Sequence, residues 1–110
     1  MKVSDIIEPL GLKEVTTSDL SRDITGCYIG DLLSWVMSKA DSGNIWITIM
    51  TNVNIVAVAA LTDVSCIIVC EDAEIDDAAI QKALQQDITI FKSEYTSYEL
   101  ASKISKFGII

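Results

Sequence analysis

Between Asn44 and Cys70 the chain carries a single charged residue, Asp63, in a run that opens GNIWITIM and closes SCIIVCE. Nearly every side chain in that run is suited to burial, so the flanking segments must supply its cover. It divides into strand, helix and strand. In the first strand Ile45, Ile47 and Ile49 alternate with Trp46, Thr48 and Met50, which sends the two sets to opposite faces. Thr51 and Asn52 carry the side-chain oxygens that suit the cap of the following helix.

That helix is apolar all round, with Val53, Val56, Ala57 and Ala60 on one face and Ile55, Val58 and Ala59 on another. A helix of this kind is buried on every side. One face can lie on its own sheet through a right-handed crossover. The other needs cover from the N-terminal segment or from a second copy. Because large apolar patches seldom stay exposed, self-association is the leading expectation, with Ile55, Val58, Ala59 and the neighbouring Trp35 as candidate interface residues.

The remaining segments read as cover for this unit. Ser4 or Asp5 can cap a short helix with an edge of Ile6, Ile7 and Leu10, kept short by Pro9 and closed by Gly11. A brief strand is expected around Lys13–Thr16 and another over Ile24–Ile29. In DLLSWVMSKA the residues Leu32, Leu33, Val36, Met37 and Ala40 share one helical arc, and Trp35 projects well away from it. Beyond the CIIVC strand, Asp76 is placed as an N-cap with Ile75 and Ile80 as its staple, and Ile88–Phe91 reads as a third short strand of this half. Thr96 and Glu99 form a capping box for a last helix whose inner face is Leu100, Ala101, Ile104 and Phe107. From residue 44 onward strands and helices alternate, which predicts an α/β fold with a mainly parallel sheet flanked by helices.

At 110 residues the chain is expected to be one domain, residues 1–110, able to remove about 65% of its unfolded surface from water. Sixteen acids against eight bases give a net charge of −8, which disfavours nucleic acid and anionic lipid as partners. The uncharged run from Ile45 to Ala60 is interrupted by Thr48, Thr51, Asn52 and Asn54, against the character of a membrane span. The start, MKVSDIIEPLG, lacks the apolar core of a secretion signal, so a cytoplasmic location is expected. Histidine is absent, which removes the commonest general base and the commonest metal ligand.

Three constellations bear on function. Thr51, Asn52 and Asn54 mark a helix N-terminus at the carboxyl end of a strand, where open α/β sheets tend to bind ligands and anions, although plain capping explains them as well. Arg22, the one guanidinium, could clamp a phosphate or carboxylate near that turn or pair with one of the acids. Cys66 and Cys70 share one strand face about 13 Å apart, too far for a disulfide or a common metal, so with Cys27 they read as buried reduced thiols. No metal or cofactor site is expected, and no base stands ready to activate a hydroxyl nucleophile.

Arg22, Gly26 and Tyr28, followed by DLLSWVM, by GNIWITIMTNVNIVAVAAL and by DITIFKSEYTSYELASKI, resemble the DRTGG domain, and the chain is similar to the N-terminal domain of HPr kinase/phosphorylase. The likeness covers essentially the whole chain, with its most specific part at Trp46–Leu61. It implies an α/β module without catalysis of its own that helps to regulate or assemble enzymes. The family often has Gly where Cys27 stands, which weakens the case for a backbone-tight site beside Gly26. No P-loop is present, so kinase activity does not carry over. The expectation is a non-catalytic, homodimeric regulatory or adaptor module that senses a small anionic metabolite or nucleotide and has an enzyme as a possible protein partner. The alternative is a small His-free enzyme, or a phosphotransfer accessory protein acting with a separately encoded kinase.

Overall fold

In the computed structural model, which describes residues 1–110, ten elements alternate along the chain: α1 (Val3–Leu10), β1 (Lys13–Thr16), β2 (Gly26–Ile29), α2 (Leu33–Lys39), β3 (Asn44–Thr48), α3 (Asn54–Thr62), β4 (Cys66–Val69), α4 (Asp77–Gln86), β5 (Ile90–Lys92) and α5 (Ser97–Ser105). The sheet order is β1-β5-β4-β3-β2. Strands β2 to β5 run parallel, and β1 closes one edge antiparallel to β5, with a register shift between Glu14 and Thr16. This is the mainly parallel, helix-flanked sheet that the alternation of elements predicts.

Strands β3 and β4 are buried along their whole length, as their uncharged sequences require. Their side chains feed two cores. Trp46, Ile67, Val69 and Ile90 meet Val36 of α2, Ile55, Val56, Val58 and Ala59 of α3, and Ala79 and Ala83 of α4 on one face. Ile45, Ile47, Cys66, Ile68 and Phe91 meet Val3, Ile6 and Leu10 of α1 and Leu100 and Ile104 of α5 on the other. The predicted alternation of Ile45 and Ile47 against Trp46 is thus the division between the two cores. Ile49 departs from it: the strand ends at Thr48, and Ile49 is 42% exposed.

The cover of α3 differs from expectation. Ile55, Val58 and Ala59 are sealed within the protomer, so they are not contact residues for a second copy. Nor does the N-terminal segment cover them, since α1 packs on the opposite face of the sheet. The physical reason is lateral packing: α3 is the middle helix of three and touches α2 on one flank and α4 on the other. What remains outward is the stripe Val53, Ala57, Ala60 and Leu61, of which Leu61 is 75% exposed.

The caps follow the sequence in most places. Gly11 closes α1 in the left-handed region at φ 60°, and the Thr96 backbone N–H donates to the Glu99 carboxylate while the Glu99 N–H donates to Thr96 Oγ1. Asp76 is the N-cap residue of α4. At α1 the N-cap is Lys2, whose N–H donates to Asp5 Oδ2 at 2.8 Å, ahead of the expected start at Ser4 or Asp5.

Candidate functional site

The carboxyl ends of the parallel strands gather the turn after β3. Asp31, just beyond β2, accepts through Oδ1 from Thr48 Oγ1 (2.8 Å) and from the Ile49 N–H (2.9 Å), and Thr48 Oγ1 accepts from the Met50 N–H. The Trp46 indole N–H donates to the Gly30 carbonyl at 2.9 Å, which ties the same loop to the core. Asn52 Oδ1 accepts from the Asn54 N–H at 2.9 Å in the turn just ahead of α3, whose N-cap residue is Val53 rather than the expected Thr51 or Asn52, and the Thr51 carbonyl accepts from the Asp76 N–H and ties this turn to α4. The Thr51 hydroxyl and the exposed side-chain amide of Asn54 make no hydrogen bond within the chain.

Arg22 does not join this turn. It lies at the amino ends of the strands, where α3 delivers the chain to β4. Its guanidinium meets Asp63 Oδ1 at 3.1 Å and Oδ2 at 3.2 Å, and donates to the carbonyls of Asp63 and Val64 at 3.1 Å each. A ligand clamp shared by Arg22 and the Thr51 turn is therefore corrected to a structural fork, since the two sit at opposite ends of β3 and α3. Asp63 itself takes the left-handed conformation at φ 58° that ends α3. The Ser42 hydroxyl first and Arg22 second hold its carboxyl below the usual carboxylate range.

The neighbours of Arg22 are occupied in the same way. Thr25 Oγ1 donates to the Ser42 carbonyl at 2.7 Å and accepts from Asn44 Nδ2 at 3.2 Å. A Cβ on Gly26 would come within 3.1 Å of that Asn44 amide, so Gly26 keeps the space in which Asn44 reaches Thr25.

Two clefts open on the surface. One, of about 210 Å³, lies at the amino ends beside Arg22, Asp63, Ser65 and Asp87. The other, of about 260 Å³, lies at the carboxyl end of β5, between Gly11, Lys13, Lys92, Ser93 and Tyr95. Lys13 and Lys92 are directly opposed across the antiparallel pair, a like-charge arrangement that is destabilising without counter-charge. Lys92 has that counter-charge in Asp72 (3.2 Å) and Glu74 (3.4 Å), and its hydrogen bond to Asp72 raises its pKa. Lys13 makes no ion pair. Its position was not visible in the sequence, because the facing of Lys13 and Lys92 depends on pairing between strands 74 or more residues apart.

The thiols are poor nucleophiles. Burial pushes Cys27 up to about 11 and Cys66 up to about 12, and raises Cys70 as well. All three are free. Among the candidate interface residues only Trp35 stands on the surface, 57% exposed, with the Lys39 ammonium 5.1 Å from its ring centroid. No helix is long and apolar enough to cross a membrane.

The sequence profile of the DRTGG domain matches residues 15–107. Comparison with curated proteins yields no match. Among solved structures, the chain is similar to the CBS and DRTGG domains of the regulatory region of Clostridium perfringens pyrophosphatase, determined with the activator diadenosine tetraphosphate. The TM-score is 0.71 at 16% identity, over 94% of this chain and 45% of that one, a likeness of fold in which this chain spans less than half of its neighbour.

Proposed function

Since the chain belongs to the DRTGG domain family, we propose that it is a non-catalytic, cytoplasmic regulatory module that self-associates and responds to a small anionic metabolite or nucleotide, with a separate enzyme as its partner. The observation that carries this reading is the family match over residues 15–107, joined by likeness of fold to a pyrophosphatase regulatory region whose activator is a dinucleotide. Burial of Cys66 and Cys70, and the partial burial of Cys27 where three buried thiols were expected, point the same way, because desolvation blunts the strongest nucleophiles that a His-free chain has.

Two places on the carboxyl edge offer donors to an anion. One is the Thr51, Asn52 and Asn54 turn, through the Thr51 hydroxyl and the Asn54 amide. The other is the cleft in which Lys13 has no carboxylate partner. A thermal-shift screen of inorganic phosphate, mononucleotides and dinucleoside polyphosphates tests the ligand. A true ligand at a hundred times its Kd adds about 2.7 kcal/mol of stability. Lys13→Ala and Asn54→Ala then distinguish the two places, since each abolishes the shift only if its own site is used. No shift with any anion would overturn the sensing role, and light scattering that finds a strict monomer would overturn self-association.

A further inference from the structure

The helices change face at β5. The loop after β4 leads to α4, which packs on the same face as α2 and α3, and the loop after β5 leads to α5, which packs with α1 on the other. The loops after β2, β3 and β4 all turn to one side, so the Thr51 turn lies between neighbours that run together, and only beyond β4 and β5 do adjacent loops part. A crevice at such a parting, outside the carboxyl ends of the strands, is where open α/β sheets bind ligands. The cleft of about 260 Å³ stands there, with Asp72 from the first loop and Ser93, Glu94 and Tyr95 from the second. The Asp72 N–H donates to the Ser93 carbonyl and the Glu71 N–H to the Tyr95 carbonyl, at 2.8 Å each, which fixes the width of the crevice at its base.

Deepening the sensing role proposed above, and resting on it, we infer that this cleft rather than the Thr51 turn is the ligand site, and that it takes a compact phosphate monoester carrying hydroxyls. Two of its donors lack acceptors. Ser93 is 3% exposed, and its Oγ accepts from the Tyr95 N–H at 3.1 Å, yet its own hydroxyl hydrogen meets no acceptor in the chain. A buried donor left so is costly unless something enters the cleft to accept from it. The Lys13 ammonium has no carboxylate, although it stands opposite Lys92. Lys92 is already held by Asp72 and Glu74, so the unmet positive charge is that of Lys13. An oxyanion between Lys13 and Ser93 satisfies both donors at once. A phosphate monoester brings about two negative charges and three acceptor oxygens, against one charge and two oxygens for a carboxylate. Glu94, the other acid of the lining, makes no hydrogen bond or ion pair in the chain. It would repel a bare anion but accepts from hydroxyls beside the phosphate, and so selects a ligand that carries them. The cleft falls below the range of about 300 Å³ upward that drug-sized ligands occupy, which suits one small ester and not a dinucleotide.

Titration calorimetry of the full chain with glycerol phosphate, inorganic phosphate, acetate and diadenosine tetraphosphate tests this. Glycerol phosphate should bind most tightly of the four. Lys13→Ala should raise its Kd about tenfold or more, and Lys13→Arg should keep most of the binding. Lys13 is exposed and its side chain makes no bond in the chain, so both variants should fold even if the buried Ser93→Ala does not. Ser93→Ala should weaken binding about fivefold, and Glu94→Ala should abolish the preference for glycerol phosphate over inorganic phosphate. Glycerol phosphate binding that survives Lys13→Ala unchanged, or that is lost in Asn54→Ala instead, would overturn the cleft and leave the sensing role standing. Tighter binding of acetate or of the dinucleotide would overturn the ligand class with the sensing role intact. Silence from all four overturns this inference, and the sensing role falls with it only if the wider anion screen is blank as well.

Discussion

Replacing Arg22 with Ala should destabilise the protein by about 2 kcal/mol, and the structure shows where that figure comes from. The guanidinium makes two bonds to the Asp63 carboxylate and one each to the Asp63 and Val64 carbonyls. The Asp63 side chain is mostly exposed and rehydrates when Arg22 is lost, so the ion pair by itself contributes about 0.5 kcal/mol. The carbonyls matter more. The Val64 bond is partly buried, and each charge-assisted hydrogen bond lost there costs about 1 kcal/mol. For a chain of this length the sum lowers Tm by about 8 °C. Urea melts of wild type, Arg22→Ala and Arg22→Lys at one fixed protein concentration would read it. Lys restores the charge without the fork and should recover less than half of the loss. Because most of the effect is in carbonyl bonds, it should persist at about 1 M salt, where exposed ion pairs are screened. A loss below about 0.5 kcal/mol, or full rescue by Lys, would refute the assignment of Arg22 as a fork that fixes the α3–β4 junction.

Other consequences can be measured alongside. The Asp63 carboxyl is held below its ordinary value, so the unfolded chain binds the proton more tightly; the contribution is complete above about pH 5 and fades as pH falls through the folded value, and Asp63→Asn should flatten the acid limb of the urea midpoint between about pH 5 and 3. Trp46→Phe leaves the Gly30 carbonyl without its indole donor and a gap in a fully buried position, for a loss of about 3 kcal/mol in the same melts. In that variant only exposed Trp35 fluoresces, and its emission should be red-shifted at nanomolar protein and move to the blue as copies associate. Asp87 ends α4 at φ 58°, and Asp87→Gly should stabilise by about 0.5 kcal/mol by removing the cost of a Cβ in that region.

Much of this fold is legible in the sequence because its signals are local. Alternation along Asn44–Thr48 separates Ile45 and Ile47 from Trp46, the capping box at Thr96 and Glu99 fixes the start of α5, and Gly11 marks the end of α1. The failures share a cause, which is that lateral order is not local. Periodicity shows that α3 needs cover on more than one side, but a neighbouring helix and a second copy satisfy that need equally well, and only the flanks supplied by α2 and α4 decide it. Arg22 is likewise recognisable as a lone guanidinium, yet its partner is 41 residues away and its end of the sheet depends on where α3 returns the chain. The same holds for Lys13, whose cleft forms only when β1 and β5 pair. Trp35 departs from the arc of Leu32, Leu33, Val36, Met37 and Ala40 and is exposed, but Leu32 and Met37, which the same spacing places on that arc, are exposed as well, because α2 begins only at Leu33 and buries Val36 alone.

The guarded edge at Lys13 and Glu14 sets a limit on growth. A ribbon with two open sides would let protomers add without end, whereas a strand guarded by charge and by a broken register halts growth on its own side, so copies of the chain cannot thread into fibres through it.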